Sequence, residues 1–437
     1  MNNNKIKLAV AGAVMSAASV ANAGIIIPAG DWTLDINGNV NAFATWTNID
    51  QKGTGPTGAV AAGEDAHGED STQSINTGLL PSWLGFTGTT RQNDVDVSFT
   101  ISFQPNASDN AVSGDVLTPL NRQAFVTFGD KSWGTVKVGK DLGIFGGQAI
   151  LNDMTLLGVG GRAAEVSGAA TSLGGIGTGY IYPAWKGQIA YTTPNMNGFT
   201  ATIAITNPNQ GSFGAATTTT DTAVTVTDVG SANTTASLTT TGATELYQDR
   251  FGVEGQLMYE WTGDIAGKVW ASGASYDVTV GTAANTSSAT EDSYTATVYD
   301  IGAAITSGNL GLVGYYYNGE GVGTTMMGGW LENTGVRING NRAQKRDSDG
   351  GYLQATYVIP TGTKLGVTYG VSNLDEASGE TNATLIETNE RWTVGAYHPL
   401  TKHLNLVAEY NSIDSEGQSS ANEIENDSFS LGAILFF

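Results

Sequence analysis

The chain has 437 residues, 41 acidic against 19 basic, a formal net charge of −22, no cysteine, 59 glycines and only 10 prolines. Phosphate binding needs a basic surface, so nucleic acid is excluded as a partner. Without cysteine there are no disulfides, thiolate nucleophiles or cysteine metal sites.

Lys5 and Lys7 precede an apolar run from Leu8 to Val20, followed by Ala21-Asn22-Ala23. This order predicts a secretory signal peptide over 1–23, cleaved before Gly24, leaving 24–437 as one exported domain. The run is too short for a comfortable spanning helix, and no later stretch approaches the roughly 20 apolar residues such a helix needs. Any membrane crossing must be made by strands.

Alternation at a two-residue period begins at once. Trp32, Leu34, Ile36, Val40, Ala42 and Ala44 alternate with Thr33, Asp35, Asn37, Asn39 and Asn41. "DVDVSFTISF" (94–103) sets Val95, Val97, Phe99, Ile101 and Phe103 against Asp96, Ser98, Thr100 and Ser102. The pattern returns near 199–206, 251–261, 365–371, 404–410 and 429–437, in about sixteen segments altogether. Such strands suit a soluble sandwich as well as a membrane barrel, and the connections separate the two. Tight turns at 91–94, 130–133, 195–198, 361–364 and 400–403 alternate with long polar segments near 49–79, 106–119, 141–184, 207–246, 279–292, 319–349, 373–389 and 412–427. Short turns on one side and long loops on the other predict an all-β, transmembrane antiparallel barrel of about 16 strands.

If the apolar face meets lipid, the alternate residues face a lumen. These include Asp35, Asp96, Arg122, Lys137, Lys186, Arg250, Glu254, Glu260, Lys268, Lys364, Arg391 and Glu409, nearly balanced in sign. Lys140 shares parity with Val136 and Val138, which suits a subunit contact. Enzyme motifs are missing: His67, His398 and His403 form no H-E-x-x-H, and no serine sits in G-x-S-x-G. "GGIGTG" (174–179) follows no apolar strand and opens no helix, so it is no phosphate loop. "GEDAHGED" (63–70) lacks the ligand spacing of known metal loops, and the Thr-rich stretch 215–245 reads as an external loop with an extra hairpin. No cofactor or metal is expected. A hydrolase barrel would need a Ser or Asp with a His at one rim, and an adhesin would make the Thr-rich loop the functional part.

From Asn121 the chain reads "NRQAFVTFGDKSWGTVKVGKDLGIFGG", which resembles the general trimeric porins of Gram-negative outer membranes, with their R-Q-A-F-V-G-L strand, short turn and G-T-V-x-x-G-R. "PSWLGFTGTT" (81–90) is similar to their R-L-G-F-x-G strand, "GQIAYTTPNMNGFTATIAI" to their hairpin ending in P-x-x-x-G-F, and "LTKHLNLVAEYNSID" to their L-S-K-R-T-x-L-Y-A-E-Y. Phe437 matches the terminal aromatic that such barrels present to the barrel-assembly machinery.

The resemblance implies a homotrimer in the outer membrane, among its lipids and lipopolysaccharide, reached through the periplasm and passing ions and small hydrophilic solutes. It also implies that the third long loop, about 141–184, folds into the lumen as a constriction. Carried over residue by residue, Arg122 and Lys140 match the arginines of R-Q-A-F and G-R, and Asp141, Asp153 and Glu165 are the loop's acids, with Arg162 its one arginine. Trp83 stands where the family has arginine in R-L-G-F, so a wall cation is lost. Asp153 and Glu165, opposed by Arg122, Lys137 and Lys186, then lead to an expected moderate cation preference.

Overall fold

The computed structural model describes residues 24–64, 67–105, 120–161, 171–207, 216–226, 234–247, 250–282, 292–325, 334–339 and 342–437. The proposed signal peptide, Arg162 and Glu165 lie outside these.

The first half of the chain supplies β1 (Ile25–Ala29), β2 (Trp32–Lys52), β3 (Ser71–Asn76), β4 (Trp83–Gln92), β5 (Val95–Gln104), β6 (Leu120–Asp130), β7 (Gly134–Leu142), β8 (Trp185–Thr192), β9 (Phe199–Thr206), β10 (Ala216–Val226) and β11 (Thr234–Tyr247). The second half supplies β12 (Gly252–Trp261), β13 (Ile265–Thr282), β14 (Asp292–Ser307), β15 (Leu310–Glu320), β16 (Val336–Asn339), β17 (Arg342–Lys345), β18 (Asp347–Val358), β19 (Lys364–Leu374), β20 (Ile386–Pro399), β21 (Leu404–Gly417) and β22 (Glu423–Phe436). All but the small β16–β17 hairpin belong to one antiparallel sheet. Chain neighbours pair from β4 to β9, then β9 with β12, β12 through β15, β15 with β18, and β18 through β22. Pairing of β22 with β2, and of β2 with β4, closes the sheet on itself as a barrel of 16 strands. Closure leaves no long unpaired edge inside the wall, which a membrane demands.

Four of the sheet's strands repair or extend the wall. β3 and β4 share one wall position, opposite the upper and lower halves of β2. β11 takes over from β12 against the top of β13, and with β10 it turns the Thr-rich stretch into a hairpin. β1 continues the line of β22, for Phe436 pairs with Asn39 and Ile25 with Ile36. Between them Phe437 exchanges two backbone hydrogen bonds with Gly38, at 2.8 and 3.1 Å, so the terminal aromatic sits on the closing seam.

The alternation read from the sequence is the alternation of the wall. Val40, Ile101, Phe103, Val126, Phe128, Ile189, Ile203, Leu353 and Val394 are exposed on the outside, while Asn39, Thr45, Ser102, Glu254, Glu409 and Ser430 are buried on the inside. Phe99 packs against Trp32 at 5.7 Å, Trp46 stacks on Phe429 and Tyr369 lies against Trp392, all on the outer surface. Among the described residues no helix is long and apolar enough to cross a membrane. Wall height is uneven. β4 to β9 are 8 to 11 residues long, whereas β13 has 18, β14 has 16 and β20 to β22 have 14 each. Averaged over β12 to β21, whose wall strands run from 10 to 18 residues, that side stands higher than β4 to β9, a high wall against a low wall.

Candidate functional site: the third loop at the barrel waist

The loop between β7 and β8 enters the barrel instead of rising from it. Gly146, in the left-handed region at φ 71°, turns the chain into a short helix, α1 (Gly147–Asn152). Asp153 then starts a 3-10 turn, Met154–Leu157, its side chain accepting from the Thr155 N–H at 2.9 Å. Phe145, Ile150, Leu151, Ile176, Tyr180 and Ile181 are buried against Trp270, Tyr276, Tyr315, Tyr317 and Tyr352 of the high wall. A second apolar contact joins Met154 and Val159 to Phe43, Tyr397, Val407 and Ile434. The inner face of the high wall is thus covered by the loop and forms a protein core.

Polar groups of the wall fix the loop's backbone. Glu254 accepts from the N–H groups of Ile144 and Phe145 at 2.7 and 3.1 Å, and its other oxygen is paired with Lys186. Asp300 accepts from Gly146 N–H at 3.3 Å and from Ser272 and Tyr315. Gln354 accepts from Met154 N–H at 2.7 Å and donates to the Asn152 carbonyl at 3.0 Å. Glu409 accepts from Val159 and Gly160 N–H at 2.8 and 2.9 Å and from the Tyr397 hydroxyl at 2.6 Å. Each of these carboxylates is buried, so each relies on such donors in place of water.

Asp153 lies inside this arrangement. It accepts from the Tyr180 hydroxyl at 3.0 Å and faces Arg391 at 3.6 Å, with both ion-pair side chains 1% exposed. Arg391 also donates to Thr178 and Thr393. Gly175 permits this approach, because a Cβ there would stand 2.6 Å from an Arg391 nitrogen and 2.8 Å from a carboxylate oxygen of Asp153. "GGIGTG" is therefore part of the loop's return path, and its glycines serve packing.

Asp141 is buried at the root of the loop, paired with Lys137 and accepting from Gln123 at 2.9 Å. Lys186 is buried in its pair with Glu254. Arg122 stands apart: Phe103 faces Asn121 while Ser102 faces Gln123, so Arg122 is the extra residue of a β-bulge and leaves the alternation. Its guanidinium lies over the rings of Trp185 and Trp83, at 4.5 and 5.7 Å, and its Nη1 finds no hydrogen-bond partner among the described residues. Trp83, at the position of a family arginine, is thus a cation–π partner of the remaining one. Lys140 points away from these groups, its ammonium on the Asn121 carbonyl at 2.7 Å. His398, half-buried, meets Thr363 at 2.9 Å near a short turn.

The structure therefore brings Asp141, Lys137 and Lys186 together near the loop's root, carries Asp153 to the far wall, and joins it there to Arg391. Glu254, Arg391 and Glu409 were legible as inward-facing, but their hold on the loop was not, and Asp300 and Gln354 escaped notice. Their common signal is a carboxylate or amide set between outward apolar neighbours, as Asp300 is between Tyr299 and Ile301.

A closed barrel of amphipathic strands with a loop folded into its waist defines an outer-membrane β-barrel channel. Residues 9–377 match the family described as Gram-negative porin, and the chain belongs to that family. No curated protein sequence matches the chain. Among solved structures it is similar to the outer membrane channel DcaP of Acinetobacter baumannii (14% identity, 95% of this chain and 100% of that one, TM-score 0.63). It is also similar to OmpT of Vibrio cholerae in its trimer form (15%, 93% and 99%, 0.53) and to Salmonella typhi OmpF in complex with daunomycin (15%, 93% and 100%, 0.53). At these identities the likeness is one of fold.

Proposed function

We propose that the protein is a non-enzymatic, water-filled channel through which ions and small hydrophilic solutes diffuse passively, exported after loss of residues 1–23 and assembled as a homotrimer among outer-membrane lipids and lipopolysaccharide. The observation that carries this reading is the third loop, hydrogen-bonded from β12 round to β21 so that it narrows the lumen without leaving it. Single-channel recording of the purified protein in planar bilayers tests it. Stable open currents entering in steps of three are expected, and a protein that inserts as a barrel without conducting would refute the reading.

The channel favours cations moderately. Support comes from the acidic balance of the chain, which includes a cluster at the end of β21 and β22, on the outward parity of Tyr410 and Phe429, where Asp414, Glu423 and Glu425 bring oxygens within 4.8 Å of one another. Of the loop acids, Asp153 faces Arg391 and its charge is compensated, as the charges of Lys137 and Lys186 are by Asp141 and Glu254, which leaves Glu165 as the larger contributor, opposed by Arg122. Reversal potentials in a salt gradient test the assignment: Glu165→Gln should move the potential toward zero more than Asp153→Asn does.

A further inference from the structure

The inner face of the low wall differs from that of the high wall in chemistry as well as in height. The loop's side-chain anchors lie on strands β12 to β21, and apart from bonds at its root and to Leu79 it leaves β4 to β9 to line the passage. On that lining the residues that alternate with the outward apolar ones include, beside Phe125, Lys137, Asp141 and Lys186, a set of hydroxyls that strand register brings together in pairs. Thr87 bonds Thr100 at 3.1 Å between β4 and β5. Ser98 bonds Thr127 between β5 and β6, and Thr192 bonds Thr202 at 2.9 Å between β8 and β9. All six are half-buried, neither covered by the loop nor thrown into bulk water.

Several charges near this row are paired. Lys137 is paired with Asp141 and also lies 5.3 Å from the Phe125 ring. Arg91 holds Asp96 and Asp130 at 2.7 and 2.8 Å toward the short turns. Asp35, in register with Thr87 through the β2–β4 ladder, adds a carboxylate acceptor at the end of the row. Two hydroxyls that bond each other use one O–H and one lone pair, so every pair still offers an O–H donor and several acceptor sites to a passing molecule. Such a surface can replace the hydration of a hydroxyl-bearing solute group by group, whereas an ion meets there, among the described residues, paired charges and the single carboxylate of Asp35.

We propose that this face is a track for neutral polyhydroxylated solutes, sugars and sugar alcohols, which cross faster than charged solutes of the same size. The inference rests on the channel reading and adds the solute class to it. The experiment compares uptake of sorbitol, gluconate and glucosamine into proteoliposomes, with KCl conductance of the same preparation as control. Sorbitol should enter fastest. Thr87→Val with Thr100→Val, and Thr192→Val with Thr202→Val, keep side-chain shape and remove the hydroxyls. Combined, they should lower the ratio of sorbitol to charged-solute uptake by about threefold, the size expected for losing a net hydrogen bond, with KCl conductance nearly unchanged. The matching serine replacements retain the hydroxyls and should keep the native ratio, which guards against a misfolded valine variant. Equal uptake of all three solutes by the native channel, or a ratio unmoved in a conducting valine variant, overturns the track while leaving the channel intact. A native protein with no KCl conductance overturns the channel reading itself.

Discussion

The low wall, β4 to β9, and the high wall, β12 to β21, are written in the same alternating code and end as different materials. Outside, both present apolar residues of the same kind, Ile101 and Val126 on one and Val269 and Leu353 on the other. Inside, the low wall keeps hydroxyls, paired charges and the ring-stacked Arg122, whereas the high wall carries buried carboxylates, Arg391 and a bank of tyrosines that the third loop seals. Alternation therefore specifies that a residue points inward, and the loop decides whether inward means water or core. A buried charge without a partner is costly, so the inward acids of the high wall are tolerable only because the loop supplies N–H donors to them.

The sharpest way to break this contrast is at the ion pair. Asp153→Ala leaves Arg391 buried without its counter-charge, a loss of about 3–5 kcal/mol when one member of such a pair is removed. The damage should stay on the high wall: hydrogen exchange is expected to rise over 143–161 and 171–184 and to stay at native levels in β4 to β9. Equal loosening of both walls would show that the loop is not a high-wall element.

Next in size is the outer face. Arginine at Phe99, in the middle of β5 and packed on Trp32, should cost roughly 2–4 kcal/mol of barrel stability, and arginine at Ser98, on the opposite face, much less. Urea or guanidinium titrations of the folded barrel in lipid measure both, and equal costs would contradict the assigned facing.

How far these positions were legible follows from what each depends on. Facing at Phe99 and Ser98 depends on a period within one strand, which any ten residues display. The short turns are local as well, whereas the seam that Phe437 closes with Gly38 joins the two ends of the chain and left no sign in the sequence. Arg122 was expected inside by alternation and is inside for another reason: it shares parity with the outward Val126, and only a bulge, a matter of ladder register with β5, turns it in. Asp153 was visible as a loop acid, but its partner Arg391 lies on a distant strand, and their approach needs the bare backbone of Gly175 between them. Contacts that depend on two remote segments and a missing Cβ leave no periodic trace.

A smaller effect is expected above the high wall, where Arg346 donates to both oxygens of Glu380 at 2.9 and 2.6 Å and so joins the loop after β15 to the loop after β19. The guanidinium holds the Glu380 carboxyl below its ordinary range. A group depressed in this way contributes its full stabilisation above the unfolded pKa, about 4.3, and loses it as the pH falls through the lower folded value. Protease nicking in 375–385 should therefore be slow at pH 5 and above and rise in stronger acid. Glu380→Gln should be nicked readily at every pH, and a native protein with no acid dependence would detach the ion pair from loop order.

The smallest effect expected is the most informative about where selectivity resides. Glu423 is bonded to Lys52, whereas among the described residues Asp414 and Glu425 have no such cation, and all three belong to the exposed or half-buried end of β21 and β22. Charges at a rim act through solvent, and their reach shrinks from about 30 Å at 0.01 M salt to about 3 Å at 1 M. Neutralising Asp414, Glu423 and Glu425 as Asn and Gln should reduce the cation preference at low salt and leave it unaltered at 1 M. Glu165→Gln, the proposed neck replacement, should act at both. The two curves of reversal potential against salt then divide the preference between rim and neck. If the rim variant still shifts the potential at 1 M, those carboxylates lie in the conduction path, and the high wall's outer end belongs to the site.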